Sequence, residues 1–237
     1  MQEKDKYILV LGSKPNSDIP KIEVSHVYSA NGAAQRGSLY KTFYPETCLV
    51  AIVGGREFQK NIEVQKRVIE SSPNTLISRN TDIDIQKYNF PKNIEYKYLS
   101  NKQQLQIQSN FFKFNYLDIV LNEMYYEKKI LDKIKHILKA IKNGKLIGAS
   151  TGFFAVLYAL MNHTDKKVVI SGIGISGGGH YYNEKSARYN SRSLVDRQLI
   201  LNLKKFFINK LYTTDENLSE VSGIKIWDSA VLKSTHN

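Results

Sequence analysis

The feature that most restricts this chain is a set of short, unbroken apolar runs, each of which stops at glycine. Residues 7–11 (YILVL) run into Gly12-Ser13-Lys14-Pro15, residues 48–53 (CLVAIV) into Gly54-Gly55, and residues 167–171 (KVVIS) into Gly172-Ile173-Gly174. A strand that is apolar at every position has no wet face, so its sheet must be covered on both sides. That is the condition of a parallel sheet with helices above and below. Further strands are predicted at 24–30, closing on Asn31-Gly32, at 75–78, at 210–213 and, weakly, at 224–227. Apolar spacing of three and four residues predicts a helix at 116–142; a polar helix is read at 57–70, an apolar one at 153–161 and a further one at 193–209. Residues 82–115 are polar, aromatic and weakly periodic, and with 176–192 they read as lid or insertion segments. Residues 1–220 then form the main domain, and 221–237 a C-terminal strand and tail.

Length and composition agree with this. The 237 residues suit one domain. Lysine and arginine outnumber aspartate and glutamate by 34 to 22, a net charge of +12 that favours nucleic acid, acidic lipid or phosphorylated ligands. One cysteine, Cys48, excludes an internal disulfide and a cysteine-based zinc site, and its apolar run makes it an inert core residue. The charged start MQEKDKY does not read as a signal peptide, and the longest apolar run, 152–161, is too short to cross a bilayer. A cytoplasmic protein is expected, with a basic surface suited to peripheral contact with the anionic inner face of the cytoplasmic membrane.

In an open parallel sheet, ligands sit outside the carboxyl ends of the strands. Glycines there let backbone N–H groups approach phosphate oxygens, and a helix N-terminus adds partial positive charge. Gly12, Ser13, Lys14, Asn31, Gly54 and Gly172 stand at such ends. Ser150, Thr151 and Gly152 open an apolar helix, where hydroxyls either cap the helix or hold an anion. The letters from Gly172 to Gly177 also match the dinucleotide fingerprint G-x-G-x-x-G. That motif needs its third glycine to open an apolar helix, and here Gly-Gly-His-Tyr-Tyr-Asn-Glu follows instead. NAD binding is therefore set aside.

Several stretches carry a resemblance together: ILVLGSKPNSDIP, VYSANGA, LIGASTGFFAVLYALMNHTDKKVVISGIGISGGGHYYN, the helix SLVDRQLILNLKKF and the strand NKLYTTDENLS. Their order resembles the bacterial sialyltransferases that cap lipooligosaccharide. HYYNE looks like a short motif of the animal sialyltransferases. The resemblance implies a single Rossmann-like α/β domain of GT-A-like, metal-independent type, with a mostly parallel sheet, helices on both faces and a small lid. It also implies inverting transfer of a nonulosonic acid from a CMP-sugar donor to a hydroxyl of an oligosaccharide acceptor, lipid-linked, on a bacterial surface glycan. No metal, further cofactor or nucleic acid is expected, and an oligomer is compatible.

By this resemblance Gly12, Ser13 and Lys14 meet the nucleotide, Asn31 contacts the donor, Thr151 and Gly152 meet its carboxylate and phosphate, and Tyr182 hydrogen-bonds the departing phosphate. The chain also departs from the family. Ser176 stands for a tyrosine, Gly174 for an acid, Gly148 for an arginine, and Ser191 for the general-base histidine. The chemistry still needs a base for the acceptor hydroxyl and donors for the phosphate. A histidine suits the first, and His180 is the candidate. Tyrosine hydroxyls, loop N–H groups, Lys14, Arg188 and Arg192 suit the second. His26, His136 and His163 read as structural or solvated. Phe111, Phe112 and Phe114 read as a packed segment or an acceptor wall. Three alternatives remain open: a CMP-Kdo or CMP-pseudaminic-type donor, a non-catalytic nucleotide- or nucleic-acid-binding module, and an inactive transferase.

Overall fold

Alternate residues of YILVL point to opposite faces of the sheet, and both sets are apolar. In the computed structural model Ile8 and Val10 enter one core while Leu9 and Leu11 enter the other, all four fully buried. The structure describes residues 6–112, 148–175 and 190–228, with 131, 134, 231 and 232 besides. Strands β1 (Tyr7–Leu11), β3 (His26–Ala30), β4 (Cys48–Gly54), β5 (Thr75–Arg79), β6 (Glu95–Leu99), β7 (Lys167–Ser171), β8 (Leu211–Thr213) and β9 (Lys225–Ile226) form one sheet in the order β6-β5-β4-β3-β1-β7-β8-β9. Every pairing in it is parallel. A separate antiparallel pair joins β2 (Ile19–Pro20) to β10 (Val231–Leu232).

Helices α1 (Ala34–Phe43), α2 (Gly55–Lys60) and α3 (Ile62–Glu70) cover one face through Tyr40, Phe58, Val64 and Val68. The other face is covered by α4 (Asn101–Ser109), α5 (Thr151–Asn162), α6 (Asn190–Leu201), α7 (Lys205–Ile208) and α8 (Glu216–Ser222). Helix α5 is buried from Phe153 to Leu160, as its unbroken apolar sequence requires. The chain is thus a single α/β domain of Rossmann-like type, covered on both faces. Among the described residues, no helix is long and apolar enough to cross a membrane.

The differences from the sequence reading have local causes. Residues 82–112 are not an insertion: they supply the edge strand β6 and helix α4 of the main fold. Strand β6 (EYKYL) is largely exposed, so it lacks the apolar run that marks its neighbours. Helix α4 carries the sequence signal for its start, because Ser100 and Gln103 form a reciprocal capping box. The helix expected at 57–70 is two helices, since Asn61 interrupts it and caps the second by accepting from Glu63 N–H at 3.1 Å. The helix expected at 193–209 breaks where Leu203 bridges to Phe112. Helix α1 has no apolar periodicity to reveal it, and its Gly37 leaves room for Leu49 of β4. The helix expected at 116–142 lies outside the described residues.

Candidate functional site

Strand β1 lies between β3 and β7. The chain leaves β1 towards β3, builds that half of the sheet outward, then returns to β7 on the other side. The carboxyl ends of β1 and β7 therefore lie side by side at the switch in strand order, the place where open α/β sheets hold their ligands. The described candidates converge there. Gly12, Ser13 and Lys14 follow β1, Asn31 follows β3, and Gly54 ends β4. Ser150, Thr151 and Gly152 start α5, and Gly172 follows β7. Arg192 lies in α6. Ser176, His180, Tyr182 and Arg188 lie outside the described residues.

Two kinds of glycine are present at this edge. A Cβ on Gly12 would collide with the Gly172 carbonyl oxygen. Gly172 itself has φ +74°, and a Cβ there would stand 2.6 Å from Ser17 Oγ and collide with the Arg36 guanidinium. Gly55 is equally confined, because a Cβ would stand 2.6 Å from Ser78 Oγ and collide with the Thr81 carbonyl oxygen. These three glycines are required by packing alone. Gly54 is different: a Cβ there would meet Glu57 Cβ at 3.6 Å and Thr151 Oγ1 at 3.7 Å, ordinary contacts, and its φ of −69° suits any residue. Packing does not demand glycine at 54, and its neighbour across the edge is Thr151.

Many polar groups at the edge already have partners. Gly12 N–H donates to Ser171 O at 2.7 Å and Lys14 N–H to Gly172 O at 2.9 Å, so the amides expected to cradle a phosphate instead hold β1 and β7 together. Asn31, in the left-handed region at φ +50°, accepts from Gly54 N–H at 2.9 Å. Ser150 is the N-cap of α5, accepting from Phe153 N–H at 3.2 Å. The Lys14 ammonium pairs with Asp215. What remains for a ligand is the start of α5: Thr151 and Gly152 lie in the first turn, where N–H groups have no acceptor within the helix. The arrangement favours an anion. The residues expected to move protons belong to the undescribed segment 176–189.

Supporting residues outside the candidate set fix this geometry. Arg36 of α1 donates to Gly12 O at 2.8 Å, Ser17 Oγ at 2.7 Å, Ser17 O at 2.6 Å and Ser171 Oγ at 3.3 Å, clamping the β1 and β7 loops. The entry to α5 is held by buried side chains. Ala149 N–H donates to Gln108 Oε1 at 2.9 Å, Arg79 Nη2 donates to Ala149 O at 3.0 Å, and Ser150 N–H donates to Asp196 Oδ1 at 2.8 Å. Arg79 is itself held by Gln104 Oε1 at 2.9 Å and lies over the Phe154 ring at 4.1 Å. No spacing in the sequence marks these partners, because their elements meet only in the fold. Asp215 alone had a local signal, as a cap residue three positions before Leu218, whose N–H it accepts at 2.9 Å.

Of the histidines expected to be structural, His26 and His163 pack at the opposite end of the strands, and His136 lies outside the described residues. The rings of His26 and His163 lie 4.6 Å apart, and the Tyr28 hydroxyl is 2.9 Å from His163 Nε2. Burial, then His26 and Lys166, lowers the His163 pKa to about 4, and burial also lowers His26. Burial raises the Cys48 thiol as well. Phe111 and Phe112 are buried, which favours the packed segment over an acceptor wall. Among the described residues, no group of three histidine, cysteine or acidic side chains is placed to hold a metal ion. Compared with known proteins, the chain matches no family model, no curated protein and no solved structure.

Proposed function

We propose that this chain is an inverting glycosyltransferase that moves a nonulosonic acid from a CMP-activated donor to a hydroxyl of a bacterial surface glycan. The observation that carries the reading is the meeting of Gly54, which ends β4, with Thr151 at the N-terminus of α5. Small residues of two elements come together there at the carboxyl edge of the sheet. A phosphate there meets the first-turn N–H groups of Thr151 and Gly152 and the positive end of a twelve-residue helix. The likeness of the Leu146-to-Tyr182 sequence to sialyltransferases supplies the identity of the donor. In the reaction, His180 takes the proton of the acceptor hydroxyl and its oxygen bonds to the anomeric carbon. The bond from that carbon to the phosphate oxygen breaks, and CMP leaves with the bonding pair. Tyr182 and the cationic side chains steady the departing phosphate. The acceptor is a lipid-linked oligosaccharide at the membrane's inner face.

Thermal shift with CMP, CDP, UDP, NAD and an oligonucleotide tests the binding half, because a ligand raises stability with the logarithm of its excess over Kd. CMP is expected to give the largest shift, and a response to the oligonucleotide with none to CMP would sink the proposal. His180→Ala is expected to abolish transfer and leave CMP binding intact. Ser191, standing where the resembled family keeps its base, favours a second reading as an inactive transferase that binds the nucleotide without turnover. Binding of CMP with no transfer to any oligosaccharide acceptor selects that reading.

A further inference from the structure

Lys14 crosses the crevice instead of standing open to it. Its N–H is tied to Gly172 O at 2.9 Å, its stem passes Gly174 (a Cβ there would stand 3.2 Å from Lys14 Cδ), and its ammonium reaches Asp215 beyond β8. One side chain thus joins the loops that follow β1, β7 and β8. The two ends of the pair are held unequally. The Asp215 side chain is 8% exposed, caps α8 through Leu218 N–H, and sits on a backbone N–H that donates to Thr213 Oγ1 at 3.0 Å. The Lys14 side chain is 31% exposed, with four methylenes about which to swing.

We propose that Asp215 is a resident counter-ion for Lys14, occupying the ammonium until a phosphate-bearing ligand enters and takes its place. Asp215 cannot leave without uncapping α8, so the lysine is the partner that moves. A phosphate carrying close to two charges competes with one carboxylate, whereas an uncharged nucleoside does not. The residue therefore sets how much charge a ligand must bring. As Lys14 turns to the ligand, the strap across Gly174 is released. Only the identity of the ligand rests on the CMP reading above; the exchange itself needs an anion.

Titration calorimetry with CMP, cytidine and inorganic pyrophosphate, at low and high salt, tests this on the wild type, Asp215→Asn, Lys14→Gln and the double variant. Asparagine keeps the helix cap and removes the charge, and Asp215→Ser serves the same purpose should the asparagine variant fail to fold. Asp215→Asn is expected to bind CMP and pyrophosphate on the order of tenfold more tightly at low salt, less so at high salt, with cytidine unchanged. Lys14→Gln is expected to weaken both anions and to erase the gain from Asp215→Asn. Unchanged or weaker anion binding by Asp215→Asn overturns the proposal and makes Asp215 a residue that positions Lys14. If pyrophosphate shows the gain while CMP binds no better than cytidine, the exchange stands and the CMP reading falls. If neither anion binds any variant, both fall.

Discussion

The two ends of one set of strands are built from opposite materials. At the amino ends, His26, Tyr28, Cys48 and His163 fill space with ionisable side chains that burial keeps neutral. At the carboxyl ends, glycines remove side chains, and charges such as Arg36 and Lys14 are met by carbonyls, hydroxyls and Asp215. A parallel sheet imposes this asymmetry: helices such as α5 present their N–H ends at the carboxyl edge, where anions are favoured, and not at the other. Histidine is chemically the more versatile residue, yet the two described here serve packing. The described part of the candidate site combines glycines with a few longer side chains, Lys14 and Asn31 among them.

The largest expected effect tests the packing glycines. Gly172→Ala forces a side chain into the left-handed region and into Ser17 and Arg36, and should lower unfolding free energy by about 3 kcal/mol or more, read by urea denaturation. Wild-type stability in that variant would remove the distinction between the two kinds of glycine. Next in size, Asp196→Ala leaves the half-buried Ser150 N–H without its acceptor and should cost about 2 kcal/mol, while Asp196→Asn, which retains an oxygen, costs less.

The amino-end cluster gives a smaller, pH-dependent effect. His163 titrates near 6.5 when unfolded and at about 4 when folded. Between those values the unfolded chain binds more protons, so stability falls as pH falls from about 6.5 towards 4 and is flat with respect to this group above 6.5. After discounting for partial exposure, the loss is about 1 kcal/mol. His163→Asn should flatten the profile in that window, and an unchanged slope would show the cluster to be uncoupled from stability. The smallest stability effect belongs to Gly54→Ala, within about 0.5 kcal/mol of wild type. Its CMP affinity should nonetheless drop severalfold by calorimetry. Full retention of affinity would mean that the space beside Thr151 holds no ligand.

The sheet was legible because burial on both faces leaves an unbroken apolar run. Strands β1 and β7 match the expected spans; β4, β5 and β8 differ by one end residue, β9 by one at each end, and β3 begins two residues later than expected. Legibility failed where burial was one-sided or absent. Edge strand β6 buries Leu99 alone, with Tyr96 half-buried against the core, so its sequence resembles a loop, and α1 buries Ala34, Gly37 and Tyr40 without an apolar stripe. Strand-end glycines were visible as a set, but not which of them packing requires, since Gly54 and Gly55 are adjacent and have different neighbours.

The sequence by itself determined the covered parallel sheet, the apolar helix behind Ser150 and the gathering of small residues at strand ends, because each follows from short-range periodicity and turn chemistry. Only the tertiary structure decided the strand order that places β1 beside β7, the clamp by Arg36, the buried hold of Gln108, Arg79 and Asp196 on the start of α5, and the pairing of Lys14 with Asp215. Those partners lie up to 201 residues apart. Contact at such separation is set by how strands stack and helices cross over, which no local pattern records.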